Sequence, residues 1–250
     1  MKPPVTLDGP EGRRIAYHRT EGQTPGIVFL PGYRSDMEGT KALHLEAWAQ
    51  AKGHAFLRFD YSGHGQSEGT MLDTGPQDWS ADALAVLDEL TTGPQILVGS
   101  SMGGWMALLA ARRRPERVAG LVTIAAAPDF ITESRLPDLT PAQRTALQTE
   151  GRALLSEDHF DSPDYLTQHQ VDGARANLVF AQAWGLQGPV RFLQGTQDDA
   201  VTRDTALKLL DHAEGPDIQL SLVKGADHRF STAACLGHIV SAVEDVLAAL

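Results

Sequence analysis

A serine between two glycines stands where a short apolar stretch meets an alanine-rich one. Residues 99–103 match the pattern G-x-S-x-G, in which a sharp turn between a strand and a helix exposes a nucleophilic serine. Ser101 has a glycine two positions before and after it, so the backbones can pass closely at the turn. Ser100 would have Val98 and Met102 there, and their side chains would crowd it. The pattern predicts Ser101 as a nucleophile. The alternative is a glycine-rich turn for phosphate, although the residues match neither G-x-G-x-x-G nor a Walker A loop.

A serine hydroxyl is a weak nucleophile at neutral pH and needs a base. Among nine histidines, His228 is the best placed, because it follows the last apolar stretch and precedes the final helical pattern. An acidic pair, Asp198 and Asp199, follows the preceding apolar stretch. Serine, aspartate, histidine is one of the chain orders in which catalytic triads occur. We predict Asp198 as the acid, with Asp199 as the reserve; Asp227 is adjacent to His228 and badly placed to reach its Nδ1.

Attack on a carbonyl also requires donors for the developing oxyanion. One donor is expected to be the N–H of Met102, the residue after the nucleophile. The second is expected from the loop after the first central strand. Pro31 has no N–H, and Gly32 allows a close approach of the backbone to substrate, so the N–H of Tyr33 is the candidate. The Tyr33 ring either lines the pocket or only packs.

Apolar stretches alternate with helical patterns along the chain. Apolar runs without strict alternation favour strands that are buried on both faces. Strand–helix alternation predicts an α/β fold with a mostly parallel central sheet and helices on both faces. The first twenty residues are expected to form an antiparallel pair. The strands are expected at 26–30, 55–59, 95–98, 118–126, 190–193 and 218–223, and the helices at 36–52, 79–90, 102–114, 203–213 and 231–250.

One segment interrupts this alternation. Residues 129–187 separate two strands by far more than a crossover helix requires, and such long connections are usually functional. We expect a helical cap over the site, with a helix over 141–155, inserted into a core domain of residues 1–128 and 188–250. Trp184 is a candidate to line the substrate pocket. The alternative is a surface insertion without a role.

Composition limits the partners. The chain has 250 residues and a net charge of −11, which disfavours nucleic acid because an acidic surface repels phosphate. Cys235 is the single cysteine, so no internal disulfide is possible, and no spacing of histidine, cysteine and carboxylate is typical of a metal site. Neither a signal peptide nor a transmembrane helix is predicted. We expect a cytoplasmic protein, or one of the mitochondrial matrix if a transit peptide was removed.

These residues together resemble the α/β-hydrolase superfamily. Within it, several segments are similar to the subgroup of mitochondrial palmitoyl-protein thioesterases and acyl-glucuronide esterases. The resemblance is weakest across 129–187, and it includes Pro31 where many members of the superfamily have histidine. In the stretch from Asp60 to Ser67, Asp60 is expected to fix its loop by bonds to backbone. The segments that carry the resemblance are Pro31-Gly32-Tyr33, Gly39-Thr40-Lys41-Ala42, Arg58 to Gly69, Gly99 to Trp105 and Asp227-His228-Arg229.

The resemblance implies a serine hydrolase without a cofactor, in which Ser101 is the nucleophile, Asp198 the acid and His228 the base. It implies esters or thioesters of apolar acyl groups, small molecules or acyl-proteins, as substrates. The alternatives are an esterase for small esters, lactones or acyl glucuronides, an acyltransferase or perhydrolase, and a non-catalytic receptor on the same scaffold. The sequence makes no prediction of the oligomeric state.

Overall fold

The computed structural model describes residues 3–157 and 162–250. Residues 1 and 2, at the N-terminus for which no signal peptide is predicted, and residues 158–161, within the predicted cap, lie outside the described residues. The strands are β1 (Val5–Asp8), β2 (Arg14–Thr20), β3 (Gln23–Leu30), β4 (His54–Phe59), β5 (Gln95–Ser100), β6 (Val118–Ile124), β7 (Arg152–Ser156), β8 (Asp164–Thr167), β9 (Trp184–Gly185), β10 (Val190–Gly195), β11 (Ala213–Glu214) and β12 (Ile218–Val223). The helices are α1 (Thr40–Lys52), α2 (Pro76–Leu90), α3 (Met102–Arg113), α4 (Pro141–Glu150), α5 (Gln168–Ala176), α6 (Arg203–His212) and α7 (Ala233–Ala248).

Within the described residues, eight strands form one sheet in the order β1-β2-β4-β3-β5-β6-β10-β12. The six strands from β4 to β12 run parallel to one another, and β2 pairs antiparallel with both β1 and β4. This confirms the predicted fold class and the predicted N-terminal antiparallel pair.

Each face of the sheet has its own core. Successive side chains of a strand point to opposite faces, and in β5 this places Leu97 in one buried cluster and Ile96 and Val98 in the other. The first cluster contains α2 and α3, and the second contains α1 and α7. Because all six residues of β5 are buried, the strand lacks the polar alternation of a half-exposed strand.

The connection at 129–187, which the sequence predicted as a helical cap, contains α4 and α5 and also a two-stranded antiparallel sheet of β7 and β8. The helix expected over 141–155 ends at Glu150. Gly151 follows with φ 74°, a left-handed conformation that ends helices and that glycine adopts without strain. Arg152 then begins a strand that pairs with Thr167.

Candidate active site

Ser101 lies on a strained turn between β5 and α3. Its φ is 54° and its ψ is −117°, a conformation that costs a non-glycine residue about 1–3 kcal/mol and is characteristic of functional sites. The two flanking glycines permit this turn. A Cβ on Gly103 would lie 2.0 Å from the carbonyl oxygen of Leu30, and a Cβ on Gly99 would lie 2.3 Å from the carbonyl oxygen of Gly103. The turn therefore excludes side chains at both positions and presents the Ser101 hydroxyl beyond the end of the sheet.

His228 faces this hydroxyl from the loop between β12 and α7. Its Nε2 lies 3.1 Å from the Oγ of Ser101. Its Nδ1 lies 3.0 Å and 2.9 Å from the two carboxylate oxygens of Asp198. Since an ionised carboxylate only accepts hydrogen bonds, Nδ1 carries the proton in the neutral ring. Nε2 is then the acceptor for the serine hydroxyl.

The Asp198 side chain is completely buried. Its Oδ1 accepts hydrogen bonds from the N–H groups of Ala200 (3.0 Å) and Val201 (2.8 Å), and its Oδ2 accepts one from Nε2 of Gln194 (2.9 Å). Burial opposes ionisation, but the hydrogen bonds from His228, Val201 and Gln194 outweigh it, so the pKa of Asp198 lies below its ordinary value. The carboxylate is therefore held ionised and fixed in orientation before substrate binds.

The neighbouring carboxylates have other environments. Asp199 is exposed and does not contact His228 among the described residues. Asp227 accepts a hydrogen bond from the N–H of Phe230 at 3.0 Å, so it turns back onto its own loop. Of the three aspartates weighed from the sequence, the structure brings Asp198 to the histidine.

The loop after β3 passes directly beside Ser101. A Cβ on Gly32 would lie 3.4 Å from Cβ of Ser101 and 3.3 Å from the carbonyl oxygen of Ser100. The next residue, Tyr33, therefore carries its N–H close to the serine. Met102 is the first residue of α3, and the first N–H groups of a helix have no acceptor within the helix. The two predicted donors thus belong to the two segments that meet at the nucleophile, the loop after β3 and the start of α3.

The Tyr33 side chain contacts the connection at 129–187. Its hydroxyl donates to Oδ1 of Asp164 at 2.9 Å, and its ring packs edge-on against Phe130, with centroids 5.8 Å apart, and against Trp79 at 5.9 Å. Burial, the largest cause, together with the adjacent Asp164 raises the pKa of Tyr33 to about 12. The phenol therefore remains a hydrogen-bond donor throughout the neutral range.

A cavity of about 600 Å³ opens at Ser101 and His228 and is also lined by Gly32 and Tyr33. Among the described residues of 129–187, its lining includes Phe130, Ser134 and Arg135.

Trp184 is not part of this lining, so the prediction that it borders the pocket is wrong. The side chain is 1% exposed, and its Nε1–H donates to the carbonyl oxygen of Leu108 at 2.7 Å. A polar indole N–H that is buried needs such a partner, and this one fixes the ring against α3. Trp184 therefore packs in the core.

Sequence reasoning missed three charged residues beside the pocket, Arg34, Arg135 and Asp164. Arg34 has φ 55°, which no local sequence pattern indicates for an arginine. Asp164 lies at the start of β8 and is 4% exposed. A carboxylate at the start of the short stretch Asp164–Thr167 was the available signal, but its partners are distant in the chain.

Within 3–157 and 162–250, no group of three or more histidine, cysteine or carboxylate side chains is arranged to hold a metal ion. Over the same residues, no helix has both the length and the apolar character needed to cross a membrane.

The chain is similar to known hydrolases in both sequence and structure. A family model described as "Alpha/beta hydrolase family" matches residues 27–239. The rat protein named palmitoyl-protein thioesterase ABHD10, mitochondrial, is 35% identical over 96% of this chain and 81% of its own length; the human one is 34% identical over 96% and 79%. The structure of mouse alpha/beta hydrolase domain-containing protein 10 superposes with a TM-score of 0.89 at 34% identity, covering 98% of each chain. A putative hydrolase from Agrobacterium vitis S4 superposes with a TM-score of 0.90 at 37% identity, covering 97% of each chain.

Proposed function

Because this chain belongs to the alpha/beta hydrolase family, we propose that it is a serine hydrolase that works through Ser101, His228 and Asp198. The observation that carries the proposal is the continuous hydrogen-bonded line from Oγ through the imidazole to the carboxylate, with 3.1 Å at the first step and 2.9 Å at the second. A nucleophile, a base and a group that orients the base are the three parts that acyl transfer to a serine requires.

In the first half of the reaction, Oγ of Ser101 attacks the acyl carbonyl while Nε2 of His228 takes the hydroxyl proton. The carbonyl oxygen becomes an oxyanion, which the N–H groups of Tyr33 and Met102 stabilise. Asp198 stabilises the imidazolium without taking its proton. The tetrahedral species then collapses, His228 gives the proton to the leaving group, and an acyl-enzyme remains on Ser101.

In the second half, a water molecule occupies the place of the leaving group. His228 removes a proton from this water as it attacks the acyl carbonyl, and the same N–H donors hold the second oxyanion. Collapse returns the proton to Oγ of Ser101 and releases a carboxylic acid.

For the substrate we propose thioesters of apolar acyl groups. The support is the name of the rat and human relatives, palmitoyl-protein thioesterase, together with the apolar part of the cavity, which includes Phe29, Ala127, Phe130 and Val201. A leaving thiol needs less protonation than an alcohol, so His228 acts mainly as the base for this class. The names of these relatives also contain "mitochondrial", which favours the matrix over the cytoplasm among the two compartments predicted.

The test is kcat/KM for straight-chain acyl thioesters of increasing length, with the matching oxygen esters in parallel. We expect thioester turnover that rises about fourfold for each CH₂ buried, since one buried CH₂ contributes about 0.8 kcal/mol, until the cavity is filled. Ser101→Ala is expected to abolish turnover, and Ser100→Ala, the adjacent serine, serves as the matched control. Turnover that survives Ser101→Ala contradicts the mechanism, and a flat length series contradicts the substrate class.

A further inference from the structure

The connection at 129–187 contacts the loop that carries a proposed oxyanion donor. Asp164, the first residue of β8, is 4% exposed. Its Oδ1 accepts a hydrogen bond from the hydroxyl of Tyr33 at 2.9 Å. Its other oxygen lies 3.1 Å from Nη2 of Arg135, and the guanidinium of Arg34 lies 3.6 Å away. One buried carboxylate thus joins three residues, two of which are consecutive in the loop after β3.

A second set of contacts holds the same loop. Nη2 of Arg34 donates to the carbonyl oxygen of Pro163 at 3.0 Å and to the hydroxyl of Ser162. The Arg135 guanidinium lies over the Tyr33 ring, 4.3 Å from its centroid. Both side chains of the pair 33–34 are therefore fixed by residues that come more than 95 positions later in the chain.

The backbone at this point needs such support. Arg34 has φ 55°, a left-handed conformation that a non-glycine residue keeps only where the surrounding structure enforces it. The peptide unit between Gly32 and Tyr33 carries the proposed oxyanion donor beside Ser101, so a rotation of the backbone at Tyr33 would change the direction of this N–H. Oxyanion donors act through geometry fixed before the reaction, and a small displacement costs much of their effect.

We propose that Asp164 is a positioning residue of the oxyanion hole: by holding Tyr33 and Arg34 it orients the Tyr33 N–H toward Ser101. This inference rests on the proposed function, because the Tyr33 N–H that Asp164 orients is an oxyanion donor of that mechanism. Asp164 lies outside the triad and acts on the reaction only through the loop. The segment 129–187 thereby contributes to transition-state stabilisation as well as to the walls of the pocket.

The experiment compares Asp164→Asn with Asp172→Asn. The asparagine keeps the volume of Asp164 but removes the charge that pairs with the two arginines. Asp172 is an exposed carboxylate of α5 in the same connection, hydrogen-bonded to Gln168 at 2.8 Å, and its variant is the matched control. For Asp164→Asn we expect kcat to fall by about 10-fold to 100-fold, since complete loss of one oxyanion donor costs about 10²–10³. KM is expected to stay within about twofold, because the interaction forms in the transition state.

Two inhibitors separate positioning from a merely structural effect. A trifluoromethyl ketone of the acyl chain forms a bond with Oγ of Ser101, whose proton passes to His228, and places an oxyanion in the hole. A thioether analogue without the carbonyl binds the same pocket but leaves the hole empty. Asp164→Asn is expected to weaken the ketone by the factor lost in kcat/KM and to leave the thioether unchanged.

Tyr33→Phe provides an independent variant in case Asp164→Asn fails to fold, as judged by its melting temperature. It removes one hydrogen bond to Asp164 and keeps both arginines, so a smaller loss in kcat is expected. The two substitutions together are expected to lose less than the product of their separate effects. A kcat for Asp164→Asn within about twofold of wild type, or equal weakening of both inhibitors, overturns the inference. Activity that survives Ser101→Ala overturns the proposed function instead.

Discussion

Replacing Asp198 by asparagine changes one atom and reverses one hydrogen bond. Oδ1 of Asp198 accepts from two backbone N–H groups, Ala200 and Val201, at 3.0 Å and 2.8 Å. An asparagine keeps its oxygen there, because the opposite orientation would set its NH₂ against both donors. The NH₂ then replaces Oδ2, which lies 2.9 Å from Nδ1 of His228. The asparagine oxygen would still lie 3.0 Å from Nδ1, but the nearer NH₂ can only donate. We therefore expect Nδ1 to accept from this NH₂ and the ring proton to move to Nε2.

A histidine with its proton on Nε2 cannot receive the proton of Ser101. In another serine hydrolase with this triad, the same substitution lowers kcat by about 10⁴ through the wrong tautomer. We expect a loss of about 10³–10⁴ here, equivalent to about 4–5.5 kcal/mol of transition-state stabilisation. The new NH₂ also faces Nε2 of Gln194, which donates to Asp198 at 2.9 Å, so a modest loss of stability accompanies it.

The assay is kcat and KM on one thioester, with melting temperatures measured on the same preparations. Asp199→Asn is the matched control, since Asp199 is the adjacent and exposed carboxylate, and its kcat is expected to stay at the wild-type value. A folded Asp198→Asn enzyme that keeps more than about a tenth of wild-type kcat would refute the tautomer argument. An equal loss in Asp199→Asn would refute the assignment of the acid.

Two further predictions concern stability. Burial raises the pKa of Asp82 to about 6, so the folded state holds this proton more tightly than the unfolded chain and the carboxyl lowers stability as pH rises from about 4 to 6. The pKa shift of about two units is equivalent to about 3 kcal/mol, so Asp82→Asn should raise the melting temperature at pH 8 and leave it unchanged at pH 4. Asp211→Asn, at an exposed carboxylate, is the control. A change in melting temperature at pH 8 as small as that of Asp211→Asn would count against the prediction. Gly103→Ala should destabilise the protein by at least about 1–3 kcal/mol in urea unfolding, because its Cβ would lie 2.0 Å from the carbonyl oxygen of Leu30. Gly237→Ala lies in a helix with nothing within 4 Å of the added carbon, so it should be neutral or stabilising. An equal change in the free energy of unfolding for Gly103→Ala and Gly237→Ala would refute the steric reasoning for Gly103.

Much of the fold and the placement of the chemistry could be predicted because they depend on local patterns. Apolar stretches predicted the central strands, and the carboxyl ends of parallel strands meet at one edge of the sheet. Ser101, Asp198 and His228 each follow a strand of that set. The predicted family resemblance is confirmed by the match over residues 27–239 and by the relatives at 34–35% identity. The bonds of Asp60 to backbone, with Met37 N–H at 2.6 Å and Gln66 N–H at 2.8 Å, are confirmed as well.

The rest depends on contacts between distant parts of the chain. The hydroxyl of Tyr33 and the carboxylate of Asp164 are 131 residues apart, and no periodicity in either segment indicates that they meet. Trp184 is an aromatic residue near a predicted pocket, but its position depends on an acceptor in α3, the carbonyl oxygen of Leu108. β7 and β8 are short strands that need each other as partners, so neither is evident alone.

The most direct test of the central claim is to locate the serine that reacts with a fluorophosphonate. Phosphonylation requires a serine activated by its base, and the product is stable enough for peptide mass mapping. We expect one adduct per chain, on the peptide that contains Ser101, and none in Ser101→Ala or after replacement of His228 by alanine. An adduct on a different serine, or a folded wild-type protein that forms none, would contradict the assignment of Ser101 and His228 as nucleophile and base.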